Sequence, residues 1–367
     1  LETVVLEKEY FPRPKTCAGG VSVAAMNYLD LPVPPEVVEA RCSSFRGYYG
    51  DKAVELETEE EFLAVVSREI FDLWLISLAQ SAGADLRQGE RATSVEVDDK
   101  GVTVRTPKQI YTGKLLIGAD GVNSTVAKIL RSPFSKRELA LCLCSDIVGD
   151  DNDSDWREGI EVHYGLLPMS YGWVFPKRGR LSVGLGGWLI GSREVMAVYA
   201  TFLQKRGLFQ EKMRMRGRHI PLGGINRPVV GDRLILAGDA AGFADPFSGE
   251  GIRYAIASGR LAAAAAASLI TGGVPLSRQN LGVYERNCYL QFGAELKTAL
   301  FIARLFKYYP KALLGLFFSS REPFQKAMEI LQGRFSYRQL YRWLLWRAPG
   351  LIRRWASPET ASPVPRT

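Results

Sequence analysis

Apolar residues recur in two rhythms along the chain, short β-type runs and helix-period stripes, and their order predicts an α/β fold. The first run is TVVLE at residues 3–7. Residues 61–83 place Phe62, Val65, Val66, Ile70, Leu73 and Leu75 at the spacing of one amphipathic helix. Residues 87–105 alternate as a hairpin, and KLLIG at 114–118 reads as a buried strand ending at Asp120-Gly121, with a helix from Asn123. From 139 to 188 the pattern changes to LALCLCSDIV, GIEVHYGLL, GWVFPK and LSVGLGG, four short β-type runs that predict a second, antiparallel sheet. A last short run, RLILA at 233–237, stops at Gly238-Asp239, crosses a Gly/Pro/Ser-rich loop and opens into an Ala-rich helix beginning near Gly249. Helical spacing continues at 287–309, 311–319, 323–333 and 337–347, ahead of a Ser/Pro-rich tail at 357–367.

The stretch 231–259 carries the most specific chemistry. A strand that delivers Asp239 to a loop ending at a helix N-terminus offers a carboxylate for ligand hydroxyls. It also offers unpaired backbone N–H groups at a positive dipole end, which favour an anionic or electron-rich ligand. Gly249 and Gly251 leave room for close approach. A plain strand-to-helix turn would give the same local pattern. Glu7 stands where the second strand of a dinucleotide-binding βαβ unit carries its ribose-binding acid. The roughly 30 residues of strand, GxGxxG turn and helix expected ahead of it are not in the sequence, so the chain reads as N-terminally truncated.

Composition narrows the class. With 47% hydrophobic and 23% charged residues the chain is globular rather than disordered. Cys17, Cys42, Cys142, Cys144 and Cys288 are odd in number and lack zinc-finger spacing, and His163 and His219 have no partner pattern, so no metal site is predicted. A reducing, cytoplasmic location fits those thiols. The formal charge of +8 is concentrated at the end, where residues 296–356 hold twelve Lys/Arg against Glu322 and Glu329. Trp343, Trp346 and Trp355 sit among these arginines, a composition suited to a bilayer interface, and no nucleic-acid motif accompanies it. No apolar run approaches the ~18 residues that spanning requires.

Five motifs in order resemble one family. GDAAGFADPFSGEGI at 238–252, PRPKTCAGG at 12–20, the R-x-x-F-D beginning at Arg68, Asp120-Gly121, and YGWVFP at 171–176 are together similar to the geranylgeranyl reductases, FAD-dependent oxidoreductases of the p-hydroxybenzoate hydroxylase-like group. Ala18 replaces a glycine of the family's loop, while Tyr171 and Phe175 depart from the W-x-W-x-I-P segment of flavin halogenases.

The resemblance implies a Rossmann-like FAD-binding domain in two parts, 1–137 and 223–295. An antiparallel substrate domain is inserted at 138–222, with a basic amphipathic helical region at 296–356 and a flexible tail at 357–367. It implies that Glu7, Arg68 and Ala92 hold the adenosine and pyrophosphate end of FAD. Asp120 organises the ribose side, and Asp239, Gly249, Gly251 and Ile252 hold the ribityl and ring end. Cys17, Ala18 and Gly20 would lie beside the isoalloxazine, with Cys17 or a flavin-bound water as proton donor, and Tyr171, Trp173 and Phe175 would line an apolar tunnel. The implied reaction is saturation of prenyl carbon–carbon double bonds, with NADPH or ferredoxin as electron donor and a prenylated lipid-like substrate met at a membrane surface. Two other readings stay open: FAD-dependent monooxygenation of an aromatic or polycyclic substrate, and a redox-inactive lipid-binding fragment lacking the pyrophosphate loop.

Overall fold

The structure, a computed structural model, describes residues 1–148, 159–188, 192–210, 213–222 and 224–356. The tail expected at 357–367 lies outside the described residues.

The α/β expectation holds. Val4–Glu7 pairs in parallel with Asp85–Gln88, and Leu116–Gly118 pairs in parallel with Leu234–Leu236. The second pair delivers Asp120 and Asp239 from the carboxyl ends of adjacent strands, where α/β folds place their ligands. Leu234, Ile235 and Leu236 are wholly buried and anchor a core with Phe243, Tyr254, Tyr284 and Phe292. A smaller antiparallel sheet joins Gly20–Ser22 and Val38–Cys42 to the two sides of Leu63–Val66.

The large sheet has seven strands, in the order Arg216–Pro221, Leu139–Val148, Arg180–Trp188, Ser170–Lys177, Gly159–Tyr164, Ser44–Tyr49 and Lys52–Glu57. It is antiparallel except where Gly159–Tyr164 runs parallel to Ser44–Tyr49. Two of its strands therefore come from the 1–137 segment rather than from 138–222. Strand alternation sorts its residues. Val174, Val183 and Leu185 pack with Tyr199 and Leu203 of the helix Ser192–Lys205, while Phe45, Ile160 and Val162 share a second core with Phe306, Phe317 and Phe324 of the C-terminal helices.

Four boundaries differ from the periodicity reading. Residues 61–83 are not one helix: Leu63–Val66 is a strand, and the helix is Arg68–Ser81. All four residues of Leu63–Val66 are buried, and the strand is paired on both edges, so sheet burial outweighs a spacing that also suits a helix. Arg87 belongs to the parallel strand Asp85–Gln88, and the hairpin begins at Ser94–Val97. The Ala-rich helix is Ile252–Thr271, because Gly249 has φ +76° and cannot extend it. Likewise the helix expected from Asn123 is Ala127–Leu130, preceded by the turn that Asp120 organises.

Candidate flavin site

Asp120 and Asp239 leave neighbouring strands but do different things. The Asp120 carboxylate accepts from Ser124 Oγ, from Thr125 N–H (2.6 Å) and from Val126 N–H (3.3 Å), so it fixes its own turn. Asp239, in the first turn of the helix Gly238–Ala241, is half-open and lies 3.5 Å from the Arg218 guanidinium. A Cβ on Gly251 would stand 3.4 Å from Asp239 Oδ1, so the loop before Ile252 closes directly onto this carboxylate. Gly249 approaches the aromatic strand: Tyr171 donates its hydroxyl to the Ser248 carbonyl, and a Cβ on Gly249 would stand 3.0 Å from that hydroxyl oxygen. Asp245 shapes the loop by accepting from the N–H groups of Phe247 and Ser248.

A chain of ion pairs runs from the expected adenosine end to the expected ring end. Arg13 donates to Glu7 Oε2 at 3.0 Å and reaches Asp72 at 3.4 Å. Asp72 in turn receives a bidentate pair of hydrogen bonds from Arg68 at 2.7 and 2.9 Å. Arg68 also bonds the Cys17 side chain. Burial disfavours the Arg68 charge, but Cys17 and Asp72 outweigh it and hold its pKa above the usual arginine value. Glu7 and Arg68 thus belong to one network, and Ala92 lies beyond Glu90, whose N–H donates to the Glu7 carbonyl at 2.9 Å.

Around the Cys17 loop the backbone is tight. Gly19 has φ +88°, and a Cβ there would fall 2.1 Å from the Val66 carbonyl oxygen, so only glycine fits. The Gly19 N–H faces the Cys17 sulfur at 3.4 Å. Gly20 starts the next strand, with Phe175 against it, and Ala18 is partly covered. Burial pushes the Cys142 and Cys144 thiols up to about 12 and about 11, which keeps them protonated.

Two strand residues further on, Ser22 donates its hydroxyl to Glu250 of the Gly249–Gly251 loop, so the two loops expected to flank the ring are tied together. Burial pushes the Glu250 carboxyl up to about 7, against the opposing pull of the Ser22 hydrogen bond and of Arg253. Ile252 packs on the core of Val21, Ala25, Ala64 and Phe71.

Tyr171, Trp173 and Phe175 point to one face of their strand, with the Tyr171 and Trp173 ring centroids 6.0 Å apart. Tyr171 and Phe175 join an apolar mass that continues through Phe247, Phe306 and Phe317, whose rings stack edge to face at 5.0–5.2 Å between neighbours. Trp173 Nε1–H is buried and has no acceptor among the described residues.

Several members of this site were missed from the sequence. Arg13, Lys15, Asp72 and Glu250 all lay inside motifs already read, but nothing local distinguishes them until the fold sets them beside one another. Arg218 carried no motif at all.

The residues present fit a flavin dinucleotide. Lys15, largely buried and beside Arg68 and Arg218, has its pKa lowered to about 8 by burial and then by those two cations, an arrangement that an anionic phosphate would relieve. Asp239 and the Gly249–Gly251 loop suit the polyol and ring. Fold and site therefore define an FAD-binding flavoprotein, and the sequence profile of the FAD binding domain matches residues 25–181.

Relatives specify the class further. The geranylgeranyl diphosphate reductase of Rhodobacter capsulatus is 33% identical over 280 residues, 72% of this chain and 68% of that protein. The digeranylgeranylglycerophospholipid reductase 2 of Methanothermobacter thermautotrophicus is 30% identical over 304 residues, 78% and 76%. A geranylgeranyl bacteriochlorophyll reductase-like protein from Thermoplasma acidophilum superposes with a TM-score of 0.79 at 23% identity, over 96% of this chain and 92% of that one, and so shares the fold. The chain belongs to the geranylgeranyl reductase family of FAD-dependent oxidoreductases.

Proposed function

We propose that this protein saturates carbon–carbon double bonds in the prenyl chain of a lipid-like substrate. The observation that carries this reading is the aromatic wall of Tyr171, Trp173 and Phe175, which leads from the Cys17 and Gly249 loops into a deep apolar core. Such a surface suits a flexible isoprenoid chain, which is held by area and shape rather than by polar contacts. Bound FAD, once reduced by a donor such as NADPH or ferredoxin, supplies hydride.

The chain's own residues bind, orient and protonate. Asp239 and the first-turn amides beside it would hold the ribityl hydroxyls and ring edge, while Arg68, braced by Asp72, would present charge to the phosphates. An isolated alkene carries no activating carbonyl, so the second carbon must receive a proton from a positioned acid. Cys17, in the loop expected beside the ring, would deliver that proton.

The C-terminal helices supply a way in for the substrate. Lys297, Phe301, Arg304 and Tyr308 lie along the exposed face of Ala294–Tyr308, and Phe301 meets Tyr341 of the last helix edge to face at 5.4 Å, near exposed Leu345 and Trp346. Aromatic and basic residues alternating on one surface suit an anionic bilayer, and the opposite face of the same helix places Ile302 and Phe306 in the apolar core. The deciding experiment incubates FAD-loaded, chemically reduced protein with a geranylgeranyl lipid in vesicles and follows product mass. A gain of two hydrogens per saturated bond is expected; oxygen uptake with a hydroxylated product would instead favour monooxygenation and overturn the reading.

A further inference from the structure

The last helix, Tyr337–Ala356, starts at a point fixed by its own sequence. Ser336 Oγ accepts from the Gln339 N–H at 3.2 Å and the Gln339 side-chain oxygen accepts from the Ser336 N–H at 2.8 Å, a reciprocal cap on the first turn. The Arg338 N–H donates to the Glu295 carboxylate of Ala294–Tyr308 at 3.3 Å and ties that turn to its neighbour. Tyr337 is thereby held facing inward, buried, with its ring 6.1 Å from that of Phe247. Its hydroxyl is hydrogen-bonded to the Asp245 carboxylate and to the Ser248 side chain. We propose that Tyr337 is a positioning residue of the flavin site: through Asp245, the start of the last helix holds in place the loop that brings Gly249 and Gly251 to the cofactor.

The loop depends on that carboxylate. Residues 245–250 form neither helix nor strand, so their amides are satisfied by side chains and turns. Asp245 supplies two of these bonds, its carboxylate accepting from the Phe247 N–H at 2.7 Å and the Ser248 N–H at 3.1 Å. The Gly249 N–H closes on the Asp245 carbonyl at 2.9 Å, and the Asp245 N–H on the Glu250 carbonyl at 2.8 Å. Those donors belong to the loop and move with it. Tyr337 instead joins the same carboxylate to an element from the other end of the chain. Tyr171, Trp188 and Ser22 hold other points of the loop: the Ser248 carbonyl, the Pro246 carbonyl and the Glu250 carboxyl.

Burial pushes the Asp245 carboxyl up, while Tyr337 and the loop's own donors hold it down. Removal of the Tyr337 hydroxyl leaves a buried carboxylate one donor short, and the loop regains that donor by opening toward water. Gly251 then loses its close approach to Asp239, where a Cβ would stand 3.4 Å from Oδ1, and the expected ribityl end of the site loosens. The inference concerns the cofactor alone and holds for any substrate.

Two measurements on the full chain test it: FAD titration followed by flavin fluorescence, and hydrogen exchange at the Phe247, Ser248 and Gly249 amides without FAD. Tyr337→Phe keeps the ring and its contact with Phe247 and removes the hydroxyl alone. It is expected to weaken FAD binding about tenfold, the scale of one hydrogen bond to a charged group. Exchange at the three loop amides should speed up while Leu234–Leu236 is unchanged. Tyr199→Phe is the control: it removes a buried hydroxyl from the Val183 carbonyl inside the large sheet and should lower the urea midpoint without altering FAD affinity. With Asp245→Asn already in place, Tyr337→Phe should change FAD affinity by less than about twofold, because the charge it serves is gone. Equal FAD binding by Tyr337→Phe and the unaltered protein, unchanged loop exchange, or an undiminished loss in the Asp245→Asn background would each overturn the proposal, as would an unaltered protein that takes up no FAD. Binding and exchange are read without turnover, so the result does not depend on the reductase reading.

Discussion

Replacing Glu250 with Gln should flatten part of the protein's stability profile between pH 5 and pH 8. The Glu250 carboxyl is buried, and its pKa rises from the usual 4.5 to about 7, chiefly through burial, with Asp245 adding to the shift while Ser22 and Arg253 oppose it. In the unfolded chain it loses its proton near 4.5. Below that pH both states are protonated and its contribution is fully present. As pH rises towards 7 the folded state retains a proton that the unfolded state has released, so every step upward favours unfolding. At 1.36 kcal/mol per pKa unit the accumulated loss by pH 8 is about 3 kcal/mol. Gln keeps the volume and the acceptor for the Ser22 hydroxyl but does not titrate. Urea denaturation followed by circular dichroism at pH 5, 6.5 and 8 should therefore show the variant gaining about 2–3 kcal/mol on the unaltered protein across that range. Asp245, also raised by burial, is present in both proteins, and because it repels the Glu250 charge its own titration in the variant should shift slightly downward. A difference that stays constant with pH to within about 0.5 kcal/mol would refute a buried, pH-sensitive Glu250.

The parts of this site that were legible in the sequence are those fixed by a local rule. A short apolar run stopping at Gly-Asp, then a glycine loop and an alanine-rich helix, forces Asp239 to the carboxyl end of a strand whatever surrounds it, and the fold agrees. Tyr171, Trp173 and Phe175 share a face because strand alternation has a period of two. Periodicity misread 61–83 because Phe62, Val65 and Val66 fit a helix and a doubly paired strand equally well, and only the neighbours at Gly20–Ser22 and Val38–Cys42 decide between them. The Glu7–Arg13–Asp72–Arg68–Cys17 network was invisible for a different reason. Its charges are 4 to 59 positions distant from their partners in the sequence, and each alone resembles a solvated surface charge until packing removes the water.

Two further substitutions test the loop and the network that position the candidate flavin site. Gly19→Ala puts a Cβ where the Val66 carbonyl oxygen stands and leaves a non-glycine residue at φ +88°, so it should destabilise the fold by about 3 kcal/mol or more in urea melts, against about 1 kcal/mol for Gly50→Ala, which carries the strain of a positive φ but has open space. Equal losses at both positions would show that backbone conformation, not the close approach to Val66, sets the cost. Asp72→Ala removes the carboxylate shared by Arg13 and Arg68 in a setting where both guanidinium groups are mostly covered. Two buried cations then lose their common counter-ion, a change that costs about 3–5 kcal/mol when one member of a buried pair is deleted. Pairing Asp72→Ala with Arg68→Met should restore much of that loss, because the charge left uncompensated is removed with it. If the double variant is instead as unstable as the sum of the two single variants, Asp72 acts through packing, and the ion-pair chain does not hold the Cys17 loop in place.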